Sequence, residues 1–144
     1  MACAASLAVQ RVIEEEDLLP TVVQNGELMG KLLHQGLLAE GAIAKPFTFD
    51  IRGRGAFWGI EFDFSGYEAN NLDFKRNSFA ILVQARCLKN GLIVIGMNGG
   101  ANIDGSKGDH LILGPAYNAT TEEIRKIVEI FVKSVDEVLM DSLV

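Results

Sequence analysis

Metal-binding and bridging side chains are scarce in this sequence of 144 residues, which has two cysteines, Cys3 and Cys87, and two histidines, His34 and His110. The cysteines form no spaced motif and the histidines stand far apart. A disulfide framework and a zinc site are therefore both disfavoured. Each cysteine falls in an apolar helical stretch, where a buried free thiol is expected. Basic clusters are missing as well. Acidic and basic side chains are interspersed at a net charge of −6. Without clustered Lys and Arg, neither a nucleic-acid backbone nor an anionic membrane surface is a suitable partner. No apolar run reaches the roughly 18 residues that span a bilayer. The apolar N-terminus lacks the basic segment that opens a secretory signal. A cytosolic or organelle-matrix setting fits.

Apolar residues are present in abundance, at 49% of the chain, with a mean hydropathy of +0.21. The length suits one domain with a real core and leaves no room for a second of normal size. So small a domain cannot hide that much apolar surface from water. The expectation is a domain, residues 1–144, that buries a face against something larger.

Periodicity gives the element order. Ala5, Ala8, Val9, Val12 and Ile13 form one stripe of a helix from Ala2 to about Glu16. Acids from Glu14 to Asp17 oppose the helix dipole and favour termination near Asp17. Pro20 suits the first turn of a second helix. Its stripe, through Val22, Gly26, Met29, Leu33, Gly36 and Leu37, continues to about Ala39, with Gly41 as a stop. Phe47–Arg52 and Phe57–Phe64 read as strands around a turn at Arg52–Gly55. Ile60, Phe62 and Phe64 alternate with Glu61 and Asp63, the pattern of a sheet with one wet face. Ser65–Arg76 reads as a loop. Asn77 or Ser78 caps a third helix that runs to about Asn90 and stops at Gly91. Leu92–Ile95 reads as a short buried strand, Gly96–Asp109 as a glycine-rich loop containing Gly96, Gly99, Gly100, Gly105 and Gly108, and Leu111–Leu113 as a strand closed by Pro115. Thr120 and Glu123 have capping-box spacing before a long amphipathic helix from Ile124 through Leu139. Helices grouped against a short, mainly antiparallel sheet make an α+β, two-layer domain with helices on one face.

Four ordered segments carry a family resemblance: Ala2-Cys3-Ala4-Ala5-Ser6-Leu7-Ala8 with Val12–Glu16; Asp50-Ile51-Arg52-Gly53-Arg54-Gly55-Ala56-Phe57-Trp58-Gly59-Ile60-Glu61; Asn90–Val94; and Gly108–Pro115 with Thr120–Ile124. Together they resemble the C-terminal small domain of class III pyridoxal-phosphate-dependent aminotransferases, which are fold type I enzymes. The fourth segment is most similar to the subgroup acting on ω-amino acids and amines with pyruvate or a similar keto acid. The resemblance implies reversible amino transfer in a parent enzyme whose large domain supplies the pyridoxal 5'-phosphate site and the Schiff-base lysine. Lys31, Lys45, Lys75, Lys89, Lys107, Lys126 and Lys133 all lack that lysine's sequence context. The chain is therefore expected to be inactive alone, to bind no cofactor or metal by itself, and to carry no catalytic residue. Met1 stands near the expected domain junction. The implied partners are the large domain and a second subunit of a homodimer. The alternative is a non-catalytic assembly module that self-associates or pairs with full-length subunits.

The resemblance also nominates a substrate-side wall: Arg52, Arg54, Met97, Asn98, Asp109, His110 and Pro115. Arg52 and Arg54 suit a substrate carboxylate, or else a pairing with Asp50 or Glu61 that fixes the turn. Asp109 and His110 resemble an acid–base pair, but adjacency does not supply substrate geometry. Some relatives carry a carboxylate-binding Arg where Ile112 stands, and Ala116 replaces a second Pro, so the substrate stays open. The glycine-rich loop opens no helix N-terminus and so is not read as a phosphate cradle. Trp58 reads as core or interface.

Overall fold

The structure is a computed structural model that describes residues 2–66, 69, 71–100, 102–103 and 107–144. Met1, and Tyr67, Glu68, Asn70 and Gly105 of the expected loops, lie outside the described residues. The elements run α1 Ala2–Glu15, α2 Leu18–Leu38, β1 Thr48–Arg54, β2 Phe57–Phe62, α3 Phe79–Lys89, β3 Ile95–Met97, β4 Asp109–Leu113 and α4 Thr121–Asp141. The strands form one sheet in the order β1-β2-β4-β3, antiparallel at every pairing. The expected α+β small domain is the fold observed.

Alternation along the strands divides the sheet into two faces. Ile51, Ile60, Leu111 and Gly96 stand level across the sheet on the face toward α2 and α3. Ile60 and Leu111 are fully buried there, with Met29 and Leu33 of α2 and Phe79 and Val83 of α3. α4 packs against both α2 and α3 through Phe131, Val135 and Leu139. A pile of phenylalanines closes the end of the core near α3. Phe64 has ring-centre distances of 5.2 Å to Phe47, 4.9 Å to Phe74 and 4.8 Å to Phe79.

Several local expectations hold for the reason given. Pro20 lies in the first turn of α2. The α4 capping box is complete, with Glu123 N–H on Thr120 Oγ1 at 3.2 Å and Thr120 N–H on Glu123 Oε2 at 2.7 Å. Gly91, at φ +90°, ends α3 with Leu92 N–H bonded to Cys87 O and Gly91 N–H to Leu88 O, the paired bonds of a glycine C-terminal cap.

Others are corrected. The hairpin turn is Gly55–Ala56, since β1 continues to Arg54 and pairs there with Phe57. Gly55 takes φ +55°, so a two-residue turn replaces the four-residue turn expected at Arg52–Gly55. β2 ends at Phe62, and Phe64 leaves the strand for the phenylalanine pile. The strand expected at Leu92–Ile95 is displaced to Ile95–Met97 and is not buried. It is an edge strand, with Ile95 at 56% and Met97 at 47% exposure. The apolar run Leu92–Ile95 mimics a core strand without one. Ser78 precedes α3 but its side chain makes no cap bond. Cys87 is buried as expected, whereas Cys3 is exposed, because α1 presents nearly its whole surface to solvent.

Candidate functional site

The face of the sheet away from the helices carries the candidate site. Its first row crosses all four strands as Asp50, Glu61, His110 and Met97, and its second as Arg52, Gly59, Ile112 and Ile95. Arg54 and Phe57 make the third, next to the turn. Gly59 leaves a gap in the middle. A Cβ there would meet nothing nearer than Arg52 O at 3.9 Å. The surface is thus a shallow floor with Arg52 on one side and the apolar pair Ile112 and Ile95 on the other.

Arg52 is not a ready anion binder. Its Nη1 donates to Asp50 Oδ2 at 2.7 Å and to Glu61 Oε2 at 2.8 Å. The hydrogen bonds it donates, to Asp50 foremost and then to Glu61, push the guanidinium pKa above its ordinary value. Two carboxylates around one cation leave the cluster net negative, so an incoming carboxylate has to compete with both. The pairing alternative stated for Arg52 is the one observed. Arg54 lies exposed at the end of β1.

His110 Nδ1 lies 2.7 Å from Gly108 O. A carbonyl only accepts, so Nδ1 carries the proton of that bond. In that tautomer Nε2 is the nitrogen left to face the open side. Asp109 is on the other face of β4, level with Phe62. Its carboxylate accepts from Ser78 Oγ and from Phe79 N–H, the latter at 3.3 Å. It therefore serves the start of α3 in place of the expected Asn77 or Ser78 cap. Asp109 and His110, adjacent in sequence, face opposite ways and form no acid–base pair.

Of the seven nominated residues, Arg52, Arg54, His110 and Met97 share the open face, and Asn98 follows at its edge, exposed. Pro115 lies past the far end of β4, half-buried beside Gly26, Gly55 and Ala56. Asp109 belongs to the helix side. Trp58 is core: its Nε1 donates to Gly55 O at 3.0 Å, and its ring occupies the space a Cβ on Gly30 or Gly53 would need. Asn25 went unread in the sequence. It is buried in α2, donates to Ala119 O at 2.7 Å and accepts from Thr121 Oγ1 at 3.1 Å. Nothing in its sequence context marks an asparagine 94 residues from its partner.

All seven lysines are solvent-exposed. A Schiff-base lysine needs a desolvated setting or an adjacent base to lower its pKa. None of the seven has that desolvated setting. Groups of three or more His, Cys, Asp and Glu able to hold a metal do not occur among the described residues. There is likewise no helix among them long and apolar enough to cross a membrane.

No protein-family model matches the chain. Among curated proteins, it is 39% identical over 126 residues to an aminotransferase of Gibberella zeae, covering 88% of the chain and 23% of that protein. It is 33% identical over 137 residues to an uncharacterised aminotransferase of Schizosaccharomyces pombe, covering 94% of the chain and 28% of that protein. Among solved structures, a Bacillus anthracis aminotransferase superposes with a TM-score of 0.71 at 27% identity, over 94% of the chain and 28% of its own. A transaminase from a directed-evolution study by ancestral reconstruction gives 0.73 at 26%, over 97% and 28%. The chain is thus similar, over nearly all of its length and in its fold, to about a quarter of an aminotransferase.

Proposed function

We propose that this chain is the C-terminal small domain of a class III pyridoxal-phosphate-dependent aminotransferase, and that its open sheet face forms part of the substrate-side wall. The observation that carries the reading is the similarity to aminotransferases along nearly the whole chain, at 23–28% of their length. In this reading a larger part supplies the lysine and the cofactor, which when bound provides the electron sink for amino transfer. Arg52, Met97 and His110 contribute shape and polarity to the wall, with Arg54, Asn98 and Pro115 at its margins. The Asp50–Arg52–Glu61 cluster disfavours an unassisted carboxylate and leaves the apolar side, Ile112 and Ile95, to a substrate carbon skeleton. The amine donors of the ω-amino acid and amine subgroup fit such a wall, while the carboxylate of an ω-amino acid or keto acid needs a cation supplied by the larger part. The larger part and a second subunit are the proposed partners, in the cytosol or an organelle matrix.

The test is a chimera in which this chain replaces the corresponding quarter of the Gibberella zeae relative. Amino transfer retained within roughly tenfold of that relative supports the reading. A folded, cofactor-loaded chimera without amino transfer refutes it. For the chain alone, borohydride treatment with pyridoxal phosphate is expected to fix no stoichiometric label. A label abolished by one lysine substitution would overturn that expectation.

A second reading, a self-associating assembly module, is favoured by α1, whose Leu7, Val9 and Val12 are 54%, 56% and 45% exposed. Light scattering decides it, since a monomer at high concentration removes self-association.

A further inference from the structure

β3 is the outermost strand of the sheet and runs only from Ile95 to Met97. Pairing over three residues is a weak hold for an edge. A second hold comes from α3. Gly96 N–H donates to Oε1 of Gln84 at 2.7 Å. A Cβ on Gly96 would stand 2.4 Å from Ala80 O and 3.2 Å from Gln84 Cβ. The strand backbone therefore rests directly on the helical turn from Ala80 to Gln84. Ala80 is fully buried, and a bulkier residue at either contact would lift the strand. With Gly96 facing the helix, Ile95 and Met97 face the open side.

We propose that Gln84 is a positioning residue: its side-chain oxygen seats β3 on α3 and so fixes Met97 and Ile95 at the border of the open face. The neighbouring strand is held to the same helix by Asp109, which accepts from Phe79 N–H and Ser78 Oγ. α3 thereby sets the height of two adjacent strands. The seating stands on geometry alone. Its service to a substrate wall rests on the aminotransferase reading. Only an acceptor oxygen at the right reach is required, which Glu supplies, Asn brings one methylene short, and Leu removes.

Amide exchange on the 144-residue chain tests the seating, with Gln84→Leu, Gln84→Asn and Gln84→Glu beside wild type. Gly96 exchange should speed by roughly tenfold in the Leu and Asn variants, the size of one hydrogen bond. It should stay near wild type in Gln84→Glu, with α4 amides unchanged in all three. If Gln84→Leu does not fold, the Asn and Glu pair decides. Unaltered Gly96 exchange in Gln84→Asn overturns the proposal, and so does equal acceleration in Gln84→Glu.

In the chimera, Gln84→Asn should raise KM several-fold with kcat within about twofold, and Gln84→Glu should restore it. An unchanged KM in an active chimera overturns the positioning role and leaves the aminotransferase reading intact. A wild-type chimera without amino transfer counts against that reading, while exchange still decides the seating.

Discussion

Gly26 gives the sharpest test of how α2 is packed. It lies in the middle of a helix, where Ala is intrinsically better by about 1 kcal/mol. By propensity alone, Gly26→Ala should stabilise. The structure predicts the reverse. A Cβ at Gly26 would stand 2.3 Å from Gly55 O and 2.7 Å from Gly55 C and Cα. These are backbone atoms of the β1–β2 turn, so no side-chain rotation relieves the clash. Ordinary contact begins near 3.4 Å, which requires α2 and the turn to separate by about 1 Å. Met29, one turn along α2, is fully buried and sits at the same junction. Overpacking of this kind costs up to about 3 kcal/mol, and subtracting the propensity gain leaves roughly 2 kcal/mol of destabilisation. For a chain of this size that is a fall in Tm of roughly 4–8 °C. Two further substitutions calibrate it. Gly30→Ala meets the Trp58 ring at 2.2 Å, also stiff, and should be comparably harmful. Gly36→Ala meets the Val132 side chain first, at 2.6 Å. Val132 is half-buried but β-branched, with one preferred rotamer in α4, so relief is partial and this variant should be less harmful than Gly26→Ala without reaching neutral. Urea titration with an unchanged m-value is the assay. A Gly26→Ala variant as stable as wild type, or more so, would refute the claimed backbone contact.

Asp136 should show the opposite sign at neutral pH. Burial pushes its carboxyl above the ordinary 3.8, and Oδ1 finds no hydrogen-bond partner. The fold favours the protonated form, so stability present below pH 3.8 is lost as pH rises through the elevated value. Asp136→Asn is expected to raise Tm at neutral pH, with the gain vanishing toward low pH; equal melting at neutral pH would refute this. A thiol reagent should titrate Cys3 in the native chain and Cys87 only on unfolding, because Cys87 is buried and its thiol pKa is pushed up by that burial. Two fast native thiols would contradict the core assignment. Thr120→Ala removes the α4 capping box and should cost about 1 kcal/mol, read as a shift in the denaturation midpoint that Thr120→Ser largely restores. No shift with Ala would mean the box contributes nothing.

The sequence by itself determined the element order and the α+β class, because amphipathic periods of 3.6 and 2 residues, the Thr120–Glu123 box and the Gly91 stop are local signals. It also carried the aminotransferase resemblance, since ordered motifs survive in one dimension. The candidate residues themselves were legible, but their arrangement was not. Only the tertiary structure put Asp109 and His110 on opposite faces of β4, closed Asp50 and Glu61 on Arg52, and aligned His110 with Met97 across the sheet. Register decides those neighbours, and a register is fixed by packing between segments far apart in the chain. The same holds for the misplaced strand: Leu92–Ile95 has the composition of a core strand, yet contact with Ala80 and Gln84 selects Gly96 as the residue that faces the helix. Composition shows an apolar surplus in need of cover without saying where it lies. The fold places that surplus on the first helix, where Leu7, Val9 and Val12 meet solvent because α1 packs only lightly on α2.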